Sequence, residues 1–248
     1  MTAPTGTRVS LVIGGVKGIG AATSRKLAGE GPVFATYLRD EAAAAAFQAQ
    51  AERDGLPIRT LQADVRTRAA VEALVKSVVE EAGGIDVAVF AAVSAQLKSP
   101  LSLSEEGWWD VLNTNTSPFL WLGQQMANVG RERGRLIALT SPWSHRYVEG
   151  YGAIGPSKAA LESLVVYLAS ELASRGTTVN AVSGGLVNTA LLRSLVPAKE
   201  IAAVVQKTPL GRIGEPEDIA SAVSWLASEA SGWMTGQVVT LDGGYFLR

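Results

Sequence analysis

The residues best suited to bind an anion stand near the start of the chain. Ile13-Gly14-Gly15-Val16-Lys17-Gly18-Ile19-Gly20 places Gly14, Gly18 and Gly20 between an apolar strand-like run and a helical pattern. Glycine lets the backbone turn sharply and lets a ligand approach the main chain closely. The following helix offers free N–H groups and the positive end of its dipole. The set Gly14, Val16, Lys17, Gly18, Ile19 and Gly20 therefore suits a pyrophosphate. A glycine cluster alone also fits an ordinary strand-to-helix turn. Its place at the head of an alternating α/β chain favours the dinucleotide.

The identity of that dinucleotide turns on the end of the second strand. An enzyme that takes NAD usually carries an acid there, which bonds the ribose 2′-hydroxyl. Here the positions are Tyr37, Leu38 and Arg39. No acid stands at that place to repel a 2′-phosphate, Arg39 can grip one with two donors, and Lys17 adds a second positive charge. NADPH is the expected ligand, with a solvated surface arginine as the other reading of Arg39. Asp64, after the third strand, suits the adenine edge or serves only in a turn.

These residues need a scaffold, and the hydrophobic pattern supplies one. Short apolar runs at 9–13, 33–37, 58–62, 87–91, 136–140, 178–182 and 238–241 read as strands. Helical patterns cover 21–29, 41–54, 68–82, 108–131, 156–174 and 217–227. Alanine has the best helix propensity, so the alanine run after Glu41 is a clear helix. Continuously apolar strands separated by helices imply a Rossmann-type α/β fold, a doubly wound parallel sheet of about seven strands with helices on both faces. No repeat or Pro/Ser linker divides residues 1–248, so one domain is expected. Residues 186–209, where Pro197 and Pro209 interrupt a helical pattern, are expected to form a mobile substrate lid.

Composition removes several function classes. Hydrophobic residues make up 47% of the 248, enough for a large core. A net charge of -1 offers no basic field for nucleic acid or an anionic membrane. There is no cysteine for a thiol nucleophile, disulfide or thiolate metal site, and the lone His145 makes a histidine metal site unexpected. No apolar run approaches the ~18 residues of a membrane span. The stretch from Met1 to Arg8 is short and polar and lacks an export segment, so a cytoplasmic protein is expected.

With the glycine loop placed, the chain from Val9 to Leu247 resembles the short-chain dehydrogenase/reductase family. Gly14-x-x-x-Gly18-x-Gly20 matches its cofactor loop, and Asp64-Val65, preceded by Ala63, matches its adenine side. Asn115 matches the helix asparagine of its active site, and Ser141 the serine that ends its fifth strand. Asn180 through Gly184, Gly185 and Val187 to Thr189 matches the segment that holds the nicotinamide carboxamide, and Asp242-Gly243-Gly244 matches the C-terminal signature.

Two departures stand out. The family's fourth strand usually ends Asn-Asn-Ala-Gly, whereas this one reads Phe90-Ala91-Ala92-Val93, so the amides that usually tie it to its neighbours are missing. The family's catalytic tyrosine sits four residues before its lysine, and four before Lys158 is Ile154. Tyr151, with six residues between it and Lys158, is the candidate instead. That longer spacing resembles the enoyl-acyl carrier protein reductase branch of the family, as do Arg146 through Tyr151, Lys158 through Glu162, and Ser183-Gly184-Gly185. Pro156 suits the first turn of a helix, so Tyr151 is expected in the loop just before it.

The resemblance implies reduction by a nicotinamide cofactor, with Tyr151, Lys158, Ser141 and Asn115 catalytic. In an enoyl thioester, hydride adds to the carbon β to the carbonyl and charge builds on the thioester oxygen. A phenol donating there stabilises that charge. Lys158 would bond the ribose hydroxyls and lower the phenol pKa, Ser141 would add a donor, and Asn115 would hold a relay water. Asn115 can equally bond backbone at a helix irregularity, and Ser141 can simply end a strand. Ser94, Trp143, Tyr147 and Leu192 are expected to face a small-molecule or carrier-bound acyl substrate, with Tyr147 a rival donor and His145 an inert loop residue. Leu191, Leu192 and Leu195 would form an apolar lid or pack as an amphipathic helix. Reduction of C=O or C=N in a specialised biosynthetic pathway, or NADPH binding without catalysis, are the other readings. A homotetramer or homodimer is implied, built on the helices that carry Trp108, Trp109, Phe119 and Trp121 and residues 161–172.

Overall fold

The computed structural model describes residues 7–247. Most of the polar leader from Met1 to Arg8 therefore lies outside the described residues, as does Arg248. The sheet has seven parallel strands: β1 (Ser10–Ile13), β2 (Val33–Tyr37), β3 (Ile58–Gln62), β4 (Val87–Phe90), β5 (Arg135–Thr140), β6 (Thr178–Gly184) and β7 (Val238–Leu241). Their order is β3-β2-β1-β4-β5-β6-β7. The chain reverses direction across the sheet between β1 and β4, and in open parallel sheets ligands bind beside such a switch point.

Nine α-helices surround the sheet: α1 (Gly18–Leu27), α2 (Glu41–Arg53), α3 (Arg68–Ala82), α4 (Glu105–Asn115), α5 (Ser117–Val129), α6 (Ile154–Leu172), α7 (Ala190–Leu195), α8 (Ala198–Lys207) and α9 (Pro216–Ala227), counted among the described residues. Strand residues alternate between two cores. Leu11, Ile13, Phe90 and Leu136 meet α3, α5 and α6 on one face. Val12, Val33, Val89 and Val182 meet α1, α2 and α9 on the other. Both faces are covered, which is why the strands read as continuous apolar runs rather than alternating ones.

Two expectations change. The single helix expected over 108–131 is two, broken at Thr116, whose φ of -128° and ψ of -57° leave the helical range. Pro118 is the cause: it has no N–H to donate, and in a continuous helix its ring would press on the Thr114 carbonyl. The segment expected to form a lid, 186–209, carries α7 and α8, with Pro197 as the N-cap of α8. Phe119, expected on an oligomer surface, is fully buried against Phe90 in the core, whereas Trp109 is exposed.

Candidate active site

Apart from Lys158 on α6, the predicted cofactor residues fall at the C-terminal ends of strands. Gly14 to Gly20 follow β1, Leu38 and Arg39 follow β2, Ala63 to Val65 follow β3, Ala91 and Ala92 follow β4, and Gly185 to Thr189 follow β6. Gly14 turns with φ +80°, and a Cβ on it would lie 2.9 Å from the Ala92 nitrogen. A side chain on Gly20 would collide with the Gly14 carbonyl oxygen. Only glycine therefore lets the β1 turn and α1 close against the end of β4. The turn is fixed by Thr36, whose Oγ1 accepts from Gly14 N at 3.0 Å, and by Ser24, whose Oγ donates to the Gly15 carbonyl at 2.9 Å.

Lys17 is the N-cap of α1 but gives it no side-chain cap, so the first N–H groups of that helix face outward. This is a ready anion cradle, and it fits a dinucleotide pyrophosphate. Thr189 stands across the cradle, its Cγ2 being 3.1 Å from where a Cβ on Gly18 would lie, and its hydroxyl caps α7 at the Leu192 nitrogen. At the ribose end, Arg39 is exposed. Lys17, however, pairs with Asp40. That acid lies one residue past the stretch the sequence reading weighed, and it also caps α2 at Ala43 N. The Lys17 bond and the cap hold the Asp40 carboxyl below its usual range. Asp64 is likewise held low, first by its hydrogen bonds from Arg66.

The catalytic candidates converge on the end of β5. Ser141 immediately follows that strand and is buried. Tyr151 lies in the loop before α6, as Pro156 implied, and its hydroxyl donates to Ser141 Oγ at 3.5 Å. Burial pushes the phenol pKa up, with the Ser141 bond acting in the opposite sense. Ile154, at the conventional tyrosine position, is only 1% exposed and packs against Val111. Lys158 is also buried, and its ammonium donates to the Leu139 carbonyl at 2.8 Å. Burial pushes its pKa down to about 8, while the Glu162 carboxylate pulls upward.

Asn115 is fully buried. Its Oδ1 accepts from Ser94 N at 2.7 Å, and its amide donates to the Ser94 carbonyl and to Ser157 Oγ, each at 3.1 Å. These bonds tie the side chain to the backbone of the segment after β4 and to α6. Ser94 donates its hydroxyl to Asp110 on α4 at 2.8 Å. Trp143 packs on Phe246 at 5.6 Å between ring centroids, and the Arg146 guanidinium lies over the Phe246 ring at 4.3 Å from its centroid. Leu192 is half-buried on α7, while Tyr147 is 87% exposed.

Sequence reasoning missed three features. One is Glu162, a buried acid one turn beyond Lys158 that accepts from Thr140 Oγ1 at 2.6 Å and meets His145 Nε2 at 2.8 Å. An acid on an otherwise apolar helix face was the available signal. The second is the C-terminal aromatic pair Tyr245 and Phe246, which pack against Trp143. The third is the network around Asp110. Among the described residues no cluster of acids and histidines suits a metal ion, and no helix is long and apolar enough to cross a membrane.

Comparison with known proteins agrees with this geometry. A family model described as enoyl-(acyl carrier protein) reductase matches residues 14–246. An acetoacetyl-CoA reductase of Allochromatium vinosum is 32% identical over 97% of this chain and 99% of its own. A 1-cyclohexenylcarbonyl-CoA reductase of Streptomyces collinus is 32% identical over 96% of this chain and 86% of its own. A short-chain dehydrogenase/reductase of Serratia marcescens superposes with a TM-score of 0.90 at 30% identity, covering 96% of this chain and 97% of that one. The chain belongs to the short-chain dehydrogenase/reductase family. It is an oxidoreductase of that family, and binding of a dinucleotide without catalysis is not favoured.

Proposed function

We propose that the protein is an NADPH-dependent reductase of an enoyl thioester. The observation that carries this reading is the contact of Tyr151 with Ser141, made from the loop ahead of α6 while Ile154 is sealed in the core. The donor thus stands at the longer spacing of the enoyl-reductase branch. The Streptomyces relative is named for an unsaturated acyl-CoA, which supports the same substrate class.

When bound along Gly14 to Gly20 and Lys158, a nicotinamide dinucleotide would supply hydride chemistry for the carbon β to the thioester carbonyl. The chain's own part is position and electrostatics. Tyr151 would hydrogen-bond the thioester oxygen where negative charge develops, and Ser141, already its partner, would steady the phenol and add a second donor. Lys158 would hold the ribose hydroxyls and place a positive charge near the phenol. Asn115 would fix the Ser94 wall of the site. Trp143 and Leu192 would face the acyl group. Lys17 and Arg39 would take the 2′-phosphate.

Reduction of a 3-oxoacyl thioester is the second reading. It is favoured by the retained Ser141–Tyr151 pair, which serves a carbonyl oxygen equally well, and by the Allochromatium relative. NADPH absorbance with matched 2-enoyl-CoA and 3-oxoacyl-CoA substrates separates them. Faster turnover of the enoyl substrate supports the first reading, and turnover of the 3-oxo substrate alone replaces it with the second. The same account takes the enzyme to be cytoplasmic, where the reductant is exchanged at each turnover. It also takes it to be a homodimer or homotetramer, since Trp109 on α4 and Val166 and Tyr167 on α6 are exposed.

A further inference from the structure

The segment after β4 has no regular structure from Ala91 to Leu97, and Ala91, Ala92 and Val93 carry no side chain able to hydrogen-bond. It is nevertheless held at both ends. On one side α4 grips it: Asp110 Oδ2 accepts from Ser94 Oγ at 2.8 Å and from Gln96 Nε2 at 2.9 Å. Asn115 adds the two bonds to the Ser94 backbone. On the other side, Lys98 N donates to the Gly150 carbonyl at 2.7 Å and the Lys98 carbonyl accepts from Gly152 N at 3.1 Å. Those two bonds bracket Tyr151, which itself lies outside any helix or strand.

We propose that Asp110 is a positioning residue for Tyr151, acting through residues 94–98. The carboxylate suits the task because it accepts from two side chains on the segment at once and has a charge partner behind it. Arg66 NH1 lies 3.4 Å from Asp110 Oδ1, while the same guanidinium holds Asp64 at 2.6 Å. The segment is therefore anchored to a helix and, through Arg66, to the strand end that carries Asp64. Without Asp110, Ser94 and Gln96 lose their shared acceptor and the bracket around Tyr151 loses its footing. The Tyr151–Ser141 bond, at 3.5 Å, is long enough that a small loop shift breaks it.

The inference rests on Tyr151 as the proton donor, and the test separates the two. Turnover of the preferred thioester is measured for Asp110→Ala, Tyr151→Phe and the double variant, with NADPH affinity followed by fluorescence. Asp110→Ala is expected to lower kcat by about tenfold or more, as small misplacements of reacting groups do, with NADPH affinity unchanged within about twofold. In the Tyr151→Phe background, read as residual turnover at high enzyme concentration, the same substitution is expected to cost almost nothing further, the signature of two residues acting as one unit. If Asp110→Ala does not fold, Ser94→Ala combined with Gln96→Ala removes the same two bonds and is expected to act in the same sense. Wild-type kcat in the variant that folds, or an equal loss in the presence and absence of the Tyr151 hydroxyl, overturns the inference. Full activity of Tyr151→Phe overturns it together with the donor assignment.

Discussion

The Tyr151 hydroxyl donates to Ser141 Oγ across 3.5 Å, although the two residues come from different elements of the site. Ser141 ends β5, and Tyr151 sits in the loop that leads into α6. If the serine steadies the phenol and shares the developing charge, Ser141→Ala lowers kcat by about 100- to 1000-fold, the range for loss of one such donor. The cofactor's dissociation constant should stay nearly constant. Steady-state kinetics beside a binding titration checks both.

Lys158 makes opposite demands on activity and stability. Its pKa is pushed down to about 8 by burial, against an ordinary 10.5. Between those values the unfolded chain binds the proton and the native state does not, so this residue's contribution to stability rises with pH across that window. Activity should fall over the same window, as the ammonium that supports the phenol is lost. Lys158→Met is expected to raise the melting temperature of the cofactor-free protein at pH 7 while abolishing most turnover, since it removes a buried charge whose desolvation outweighs the pull of Glu162 and whose hydrogen bond goes to a neutral carbonyl. A melting temperature below wild type would contradict this.

Glu162 should tune that titration. Its carboxylate favours the charged form of Lys158, and it grips Thr140 just before Ser141. Glu162→Gln keeps the shape and the Thr140 bond but removes the charge. The alkaline limb of the kcat/KM profile is expected to move to lower pH. An unmoved limb would show that Glu162 acts by packing alone.

Cofactor choice should respond to Asp40. Its carboxylate holds Lys17 and lies next to Arg39, so it competes with a 2′-phosphate for the same positive charge. Asp40→Asn keeps an oxygen to cap α2 and frees Lys17. Tighter NADPH binding with NADH unchanged is expected, and Arg39→Ala should weaken NADPH selectively. Fluorescence titration with both dinucleotides measures each effect.

Much of this architecture was legible from the chain. The apolar runs gave all seven strands because both sheet faces are buried, and the glycine spacing located the cradle. Pro118 carried its signal too, but a periodicity that continues across a proline hides the break. The tyrosine spacing pointed to Tyr151, and Pro156 put it in a loop. What sequence could not supply was partnership at a distance. Asp40 is a surface acid until Lys17, 23 residues away, folds against it. Glu162 and His145 are an unremarkable pair of polar residues until α6 brings one beneath the other. Asp110 gains meaning only when Ser94 and Gln96 arrive from the segment after β4 and Arg66 from the end of β3.

The most direct test of the account is Tyr151→Phe, assayed with the preferred thioester at saturating NADPH alongside Tyr147→Phe. The account predicts a loss of about 100-fold or more in kcat for Tyr151→Phe, the scale of general acid catalysis, with NADPH affinity intact. Tyr147→Phe should behave like wild type, because Tyr147 stands 87% exposed. Full activity in Tyr151→Phe and its loss in Tyr147→Phe would contradict it.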